Sequence, residues 1–254
     1  MMKQLANINS LKDWRRSIGT GSVGFVPTMG ALHAGHGKLI EQSCAENEKT
    51  LVSIFVNPTQ FNDQNDCATY PQPLKEDLEL CEKAGVDAVF LPQRRELYPD
   101  NYTYRVIENE ESTVLEGESR PEHFDGVLTV VMKLLILANA NKAYFGEKDW
   151  QQLKLVRGMA GAYFLDTEVV GVPTVREEDG LALSSRNVRL SASARMLAPE
   201  FHRVLSTAMD CAMARLELES LGFDVEYVDE RDGRRLGAVQ LEGVRLIDNV
   251  QAME

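Results

Sequence analysis

Short apolar runs alternate with helical periodicity through the first two-thirds of the chain. Val23–Val26, Leu51–Val56 (LVSIFV), Asp87–Leu91 (DAVFL), Lys142–Phe145 and Glu168–Val172 read as strands. Runs that stay apolar, instead of alternating with polar residues, belong to strands buried on both faces, as in a parallel sheet. Tyr102–Ile107 is also strand-like. Between them lie helical patterns at Ile8–Arg16, from the glycines after Met29 to about Asn47, and at Pro73–Ala84, Gly126–Ala138 and Trp150–Phe164. Ser10 is placed to cap the first of these, with Leu11 and Trp14 on one face. Leu115–Asp125, rich in Gly and charge, reads as a loop. Strands alternating with helices in this way predict an α/β fold with a doubly wound parallel sheet.

The last third changes character. Gly180–Leu190 (GLALSSRNVRL) is polar, Ala192–Leu218 reads as one long helix, and two strands follow at Phe223–Val228 and Val244–Ile247, with a turn at Asp229–Gly233 between them. The expected division is a nucleotide- and substrate-binding domain over 1–175 and a small α+β C-terminal domain over 176–254.

Four polar clusters fall at predicted strand ends, which in a parallel sheet converge on one edge. The first, Met29-Gly30-Ala31-Leu32-His33-Ala34-Gly35-His36, joins a strand to a helix. Its histidines are spaced to share one face of the helix's first turn, where unsatisfied N–H groups and the helix dipole favour an anion. The second carries Asn57 and Gln60, neutral amides suited to a substrate with hydroxyl and carboxylate groups. In the third, Gly146-Glu147-Lys148-Asp149, Lys148 is a compact phosphate-binding cation. Asp149 there either meets ribose hydroxyls or caps the next helix, and Gln152 points back to the same pocket. The fourth, Leu183-Ser184-Ser185-Arg186-Asn187, gathers hydroxyls and a guanidinium of the kind that hold phosphoryl oxygens.

Several chemistries are excluded by pattern. The chain has no GxSxG, HExxH or P-loop motif, and its glycines do not follow the dinucleotide fingerprint. What remains is nucleotide chemistry without a covalent protein nucleophile. A nucleotidylyltransferase acting on a phosphate ester would need added cations where this chain has Gln60 and Gln152, and a nucleotide-binding regulator without catalysis is the reading from another class.

Composition narrows the partners. Of 254 residues, 44% are hydrophobic and 26% charged, and the net charge of −12 argues against a nucleic-acid surface. The four cysteines show no CxxC spacing and read as reduced thiols. Met1–Ser22 has no apolar core of signal-peptide type, and the apolar run at 126–138 is too short for a membrane span and contains Lys133. A cytoplasmic protein without membrane contact is expected.

The His33-Ala34-Gly35-His36 segment resembles the HxGH signature of the nucleotidylyltransferase superfamily, and Leu183–Arg186 its KMSKS-like loop. FVPTMGALHAGH (25–36), VSIFVNPTQFN (52–62), RPEHFDGVLTVV (120–131), AYFGEKDWQQL (143–153), VGVPTVREEDGLALSSRN (170–187) and RLIDN (245–249) together resemble the pantoate–β-alanine ligase (pantothenate synthetase) family across nearly the whole chain. The resemblance implies a Rossmann-like N-terminal domain, a C-terminal lid and a homodimer. It also implies ATP-dependent condensation of pantoate with β-alanine through pantoyl adenylate. By the same resemblance Met29 through His36, Gly146, Glu147, Lys148, Asp149, Val175, Leu183, Ser184, Ser185 and Arg186 bind ATP. His33, His36, Lys148 and Arg186 carry catalysis, with His36 as proton donor. Gln60 and Gln152, with Asn57 beside them, hold pantoate, and Gln60 also meets β-alanine. Mg2+ bridges the phosphates, reached by Glu76 or Asp77 through water. Gly37 stands where the family has leucine, which would loosen the helix start.

Overall fold

Six strands, β1 (Lys3–Leu5), β2 (Val23–Thr28), β3 (Lys49–Ile54), β4 (Ala88–Phe90), β5 (Lys142–Gly146) and β6 (Glu168–Val172), form a sheet in the order β1-β4-β3-β2-β5-β6 in the computed structural model. The structure describes residues 1–62 and 64–252. Every pairing in this sheet is parallel. Helices α1 (Ile8–Ile18), α2 (Ala34–Glu46), α3 (Gln64–Ala68), α4 (Leu74–Lys83), α5 (Arg94–Leu97), α6 (Glu116–Ser119), α7 (His123–Ala138) and α8 (Trp150–Ala162) connect the strands. Val26, Val52 and Val89 of the central strands are wholly buried against Ile40 of α2 and Cys81 of α4. This is the Rossmann-like doubly wound sheet that the apolar runs predict.

From β2 the chain winds outward to β3 and β4, then returns to place β5 on the other side of β2. The strand order therefore reverses between β2 and β5, the place where open α/β sheets bind ligands beyond their carboxyl ends. Pro27 sharpens that opening. β2 pairs with β3 from Val23 to Thr28 but meets β5 only at Gly24↔Lys142 and Phe25↔Ala143. Proline has no N–H to give a second neighbour, so the ladder with β5 stops before it and the two strands part.

A second body contains α9 (Ala192–Leu197), α10 (Pro199–Thr207), α11 (Cys211–Ser220) and an antiparallel sheet of β7 (Asp224–Arg231), β8 (Arg234–Leu241) and β9 (Val244–Gln251). Its core holds Phe201, Leu205, Leu218, Val239 and Leu246. By internal contact the chain forms two compact units, Met1–Glu147 with Gln151–Val172, and Lys148–Trp150 with Pro173–Glu254.

Several expectations are corrected, among them the loop over Leu115–Asp125, which holds α6 and the first residues of α7. Asn7, not Ser10, caps α1. Its Oδ1 accepts the Ser10 N–H at 2.8 Å, while Ser10 Oγ answers the Asn7 N–H at 3.2 Å. Tyr102–Ile107 is irregular, because Tyr102 has φ +67° and the Val106 N–H goes to Thr129 Oγ1 instead of a strand. The long helix over 192–218 is three helices. Pro199 lacks the N–H to continue α9, and Ala208 is extended before Asp210 caps α11 through the Met213 N–H at 2.8 Å. The tail has three strands, since Arg234–Leu241 pairs with both neighbours. Its Gly237 masked the strand pattern, yet the glycine is what lets Phe201 pack there: a Cβ would sit 3.0 Å from the Phe201 ring. Gly37 leaves α2 intact, with its N–H bonded to the His33 carbonyl at 3.0 Å. Among the described residues no helix is long and apolar enough to cross a membrane.

Candidate functional site

The turn after β2 is held from three sides. Gly30 (φ +85°) and Ala31 (φ +50°) both adopt left-handed backbone, which glycine tolerates and alanine does not favour. Thr28 Oγ1 accepts the Gly30 N–H at 3.2 Å and donates to the Ser53 carbonyl at 2.8 Å. Asp77 on α4, 2% exposed, accepts the N–H groups of Ala31 (2.9 Å) and Leu32 (2.7 Å), one on each carboxylate oxygen. The two adjacent donors tie the strained turn to α4. Burial pushes the Asp77 carboxyl above its ordinary value, the Leu32 and Ala31 bonds oppose that, and Glu76 adds to the rise. The Asp77 carboxylate is thus buried and turned onto main-chain N–H groups. Glu76, its neighbour, is exposed.

His33 is the N-cap of α2, and with His36 it builds a capping box from two imidazoles. His33 Nδ1 accepts the Gly35 N–H at 3.1 Å, and His36 Nδ1 accepts the His33 N–H at 3.3 Å. The ring centroids are 4.2 Å apart. A nitrogen that accepts from a backbone N–H carries no proton, so each neutral ring has its hydrogen on Nε2. Two imidazole donors thus sit at the positive end of a helix dipole, beside the opening between β2 and β5.

The loop after β3 divides its labour in a way the sequence does not show. Asn57 is 1% exposed. Its Nδ2 donates to Gln60 Oε1 (3.0 Å) and to the Gly126 carbonyl (3.1 Å), and its Oδ1 accepts from Tyr98 Oη (2.7 Å) and Thr59 Oγ1 (3.0 Å). With those bonds made, the Asn57 amide is turned onto the protein and holds Gln60 by its side-chain oxygen. Because Gln60 Oε1 is the accepting atom, Gln60 offers its amide nitrogen as the donor. Burial pushes the Tyr98 phenol up to about 12, which keeps it a donor to Asn57. The Gln60 main-chain carbonyl accepts from His123 Nδ1 (2.7 Å) and Arg120 Nη2 (3.3 Å). Tyr98, Arg120, His123 and Gly126 were not assigned roles from sequence, although all but Tyr98 lie in the RPEHFDG segment that carried the resemblance.

Gly126 is where α7 meets this loop, and a Cβ there would collide with the Thr59 carbonyl and lie 2.7 Å from the Gln60 nitrogen. Gly126→Ala is expected to destabilise the protein by about 1–3 kcal/mol, because backbone has to shift to admit the methyl group. Denaturant unfolding checks this, and an unchanged midpoint refutes the contact. Gln152 is half-buried in the first turn of α8, while its neighbour Gln151 is buried and spent on the Glu111 and Val114 carbonyls and the Glu116 N–H. Within this unit His33, His36, Gln60, Gly146, Glu147 and Gln152 all follow the carboxyl ends of β2, β3 and β5.

The remaining expected residues, Lys148, Asp149, Val175 and Leu183–Arg186, belong to the second unit. Val175 and Leu183 are partners, the Leu183 N–H bonding the Val175 carbonyl at 3.0 Å, with an Arg176↔Ala182 bridge beside them. The hairpin presents Ser184, Ser185 and Arg186 on a turn where Ser184 Oγ accepts the Arg186 N–H at 3.2 Å. Asp248 anchors it: 4% exposed, its carboxylate takes both ends of the Arg176 guanidinium at 2.6 and 2.9 Å and lies 3.5 Å from His202 Nδ1. Burial pushes the Asp248 carboxyl up, but the bonds from His202 and Arg176 outweigh it and hold the group below its ordinary value.

The chain is similar to known proteins along nearly its whole length. The family model for pantoate-beta-alanine ligase matches residues 1–251. The pantothenate synthetase of Bdellovibrio bacteriovorus is 52% identical over 251 residues, covering 99% of this chain and all of that protein, and that of Coxiella burnetii (strain RSA 331 / Henzerling II) is 50% identical, covering 96% and 95%. Among solved structures, the Francisella tularensis pantoate-beta-alanine ligase, complexed with beta-gamma ATP and beta-alanine, superposes with a TM-score of 0.94. It is 39% identical and covers 99% of this chain and 98% of that one.

Proposed function

The chain belongs to the pantoate-beta-alanine ligase family, and we propose from that premise how its residues join pantoate to β-alanine using ATP. A pantoate carboxylate oxygen attacks the α-phosphorus, the bond to the β-phosphate breaks, and pyrophosphate leaves pantoyl adenylate. The amine of β-alanine then attacks the acyl carbon, loses a proton and displaces AMP. The substrates supply both nucleophiles, so the protein has to orient them, stabilise charge on phosphorus and keep water from the mixed anhydride. The observation that carries this reading is the two-histidine capping box on a turn clamped by Asp77, at the switch point of the sheet.

In this proposal His33 and His36 act through Nε2–H on the phosphates, with His36 as proton donor. Met29, Gly30, Ala31, Leu32, Ala34 and Gly35 approach ATP with their backbone, and Gly146, Glu147, Val175 and Leu183 frame the nucleotide. Asp149 meets the ribose. Lys148, Ser184, Ser185 and Arg186 neutralise the triphosphate. Gln60, aimed by Asn57, and Gln152 hold pantoate, and Gln60 also meets β-alanine. Mg2+, when bound, would neutralise charge on the triphosphate, and Glu76, exposed on α4, or Asp77 beside it would reach it through water. We further propose a cytoplasmic homodimer, as the sequence resemblance implies.

ATP–pyrophosphate exchange tests the order of steps. Exchange is expected to require pantoate and to proceed without β-alanine. Exchange that needs β-alanine would rule out a free adenylate step, and ATP binding without any exchange would favour a regulator.

A further inference from the structure

In sequence, Lys148-Asp149-Trp150 lies at the junction of β5 and α8, whose other residues belong to the first unit, yet its packing belongs to the second. The residue that ties it there is Asn249 in β9, 3% exposed and outside every role considered so far. Asn249 Nδ2 donates to the Lys148 carbonyl at 3.0 Å. Its Oδ1 accepts from Arg234 Nη1 at 2.7 Å. The Arg234 guanidinium in turn stacks on Trp150, 3.9 Å from the ring centroid, which gives the tripeptide a second point of attachment.

The Asn249 main chain is held as firmly as its side chain. Its N–H bonds Asp248 Oδ1 at 2.8 Å, and its carbonyl accepts from Arg176 Nη2 at 3.2 Å. One buried amide therefore connects the lysine turn to the Arg176–Asp248 pair that anchors the hairpin bearing Ser184–Arg186. An amide is suited to this place because it donates to one carbonyl while accepting from a guanidinium, and neither bond puts an unpaired charge in the interior.

We propose that Asn249 is a positioning residue for Lys148: by fixing the Lys148 main chain it sets where the ammonium meets the triphosphate. The inference rests on the reading that Lys148 contacts ATP, so its test has to separate the two. Asn249→Asp keeps an oxygen for Arg234 but turns an acceptor towards the Lys148 carbonyl, which repels it. Pantoate-dependent ATP–pyrophosphate exchange is expected to fall about 10- to 100-fold, since small displacements of a positioning group carry losses of this size. KM for pantoate is expected to stay near the parent's, while the melting temperature falls with the buried carboxylate added beside Asp248.

The deciding measurement is a double-mutant cycle. Lys148→Ala alone is expected to lower exchange strongly, and adding Asn249→Asp to it is expected to cost nothing more, because Asn249 acts through Lys148. If the double variant loses the full second factor, Asn249 is a structural residue only and the proposal is overturned. If Lys148→Ala is impaired and Asn249→Asp is as active as the parent, the proposal falls while the lysine's role stands. If Lys148→Ala keeps full exchange, the lysine's role and the proposal fall together. Should Asn249→Asp not fold, Asn249→Ser replaces it in the same cycle, because serine is too short to reach Lys148 and adds no charge.

Discussion

His36→Ala is expected to lower pantoate-dependent ATP–pyrophosphate exchange at least ~100-fold with the fold retained, the floor for removing a proton donor or a preorganised charge-stabilising donor from a transition state. Two things are lost in this variant, the acceptor for the His33 N–H and the Nε2–H donor. The cap by itself is worth only about 1 kcal/mol of helix stability. His36→Gln separates the two. Glutamine is the ordinary third residue of a capping box and can take the His33 N–H, but it brings no imidazole. The glutamine variant is expected to recover the melting temperature and not the exchange rate. Parent-like exchange in His36→Ala would sink the assigned role, and recovery of exchange with glutamine would reduce it to capping.

The second large effect lies in the other unit. Asp248→Asn leaves the half-buried Arg176 guanidinium against a neutral amide in place of a buried carboxylate that took both its ends. Removing one partner of a fully buried pair costs about 3–5 kcal/mol; with Arg176 partly open to water the expected loss is about 1–3 kcal/mol, the range for leaving one hydrogen-bonded group unsatisfied. The pH dependence follows from the direction of the shift. The folded carboxyl sits below its ordinary value, so its contribution is complete above the unfolded value of about 3.9 and fades as pH falls through the lower folded value. The stability gap between parent and Asp248→Asn is therefore expected to be constant near neutral pH and to close only below about pH 4. Denaturant unfolding at both pH values checks this. A gap that is small at pH 7, or that closes between pH 7 and 5, would show that the ion pair is not what holds the hairpin. A raised KM for ATP is expected alongside, since Ser184, Ser185 and Arg186 ride on that hairpin.

The corrections have a common cause. Asn57 and Gln60 are both neutral amides in one short loop, and nothing local distinguishes a buried amide from a ligand-facing one. Tyr98 and the Gly126 carbonyl, both distant in sequence, turn Asn57 inward and so leave Gln60 as the donor. The family resemblance put Asp77 within reach of Mg2+ through water, and nothing local in the sequence signals its burial. Its burial against the Ala31–Leu32 turn exists only once α4 packs beside β2 and β3. Asn249, three strands into the tail, is tied to Lys148 across a hundred residues of sequence, and no periodicity records such a pair.

What could be read without coordinates was what local physics decides. Buried strands announce themselves as short apolar runs, and the alternation of such runs with helices leaves few topologies other than a doubly wound parallel sheet. His33 and His36 were legible because a strand, two glycines and a helix start are consecutive, and the spacing of side chains on a first helical turn is set by the helix itself. The break of the 192–218 helix was half-legible at Pro199, while β8 was hidden by a glycine whose reason, the Phe201 ring above it, lies on another element. Sequence by itself therefore determined the sheet, the family and the polar clusters at its strand ends. Tertiary structure alone decided which members of those clusters are buried and hydrogen-bonded to the protein and which are left exposed, because burial and hydrogen-bond partnership are made by residues that meet only after folding.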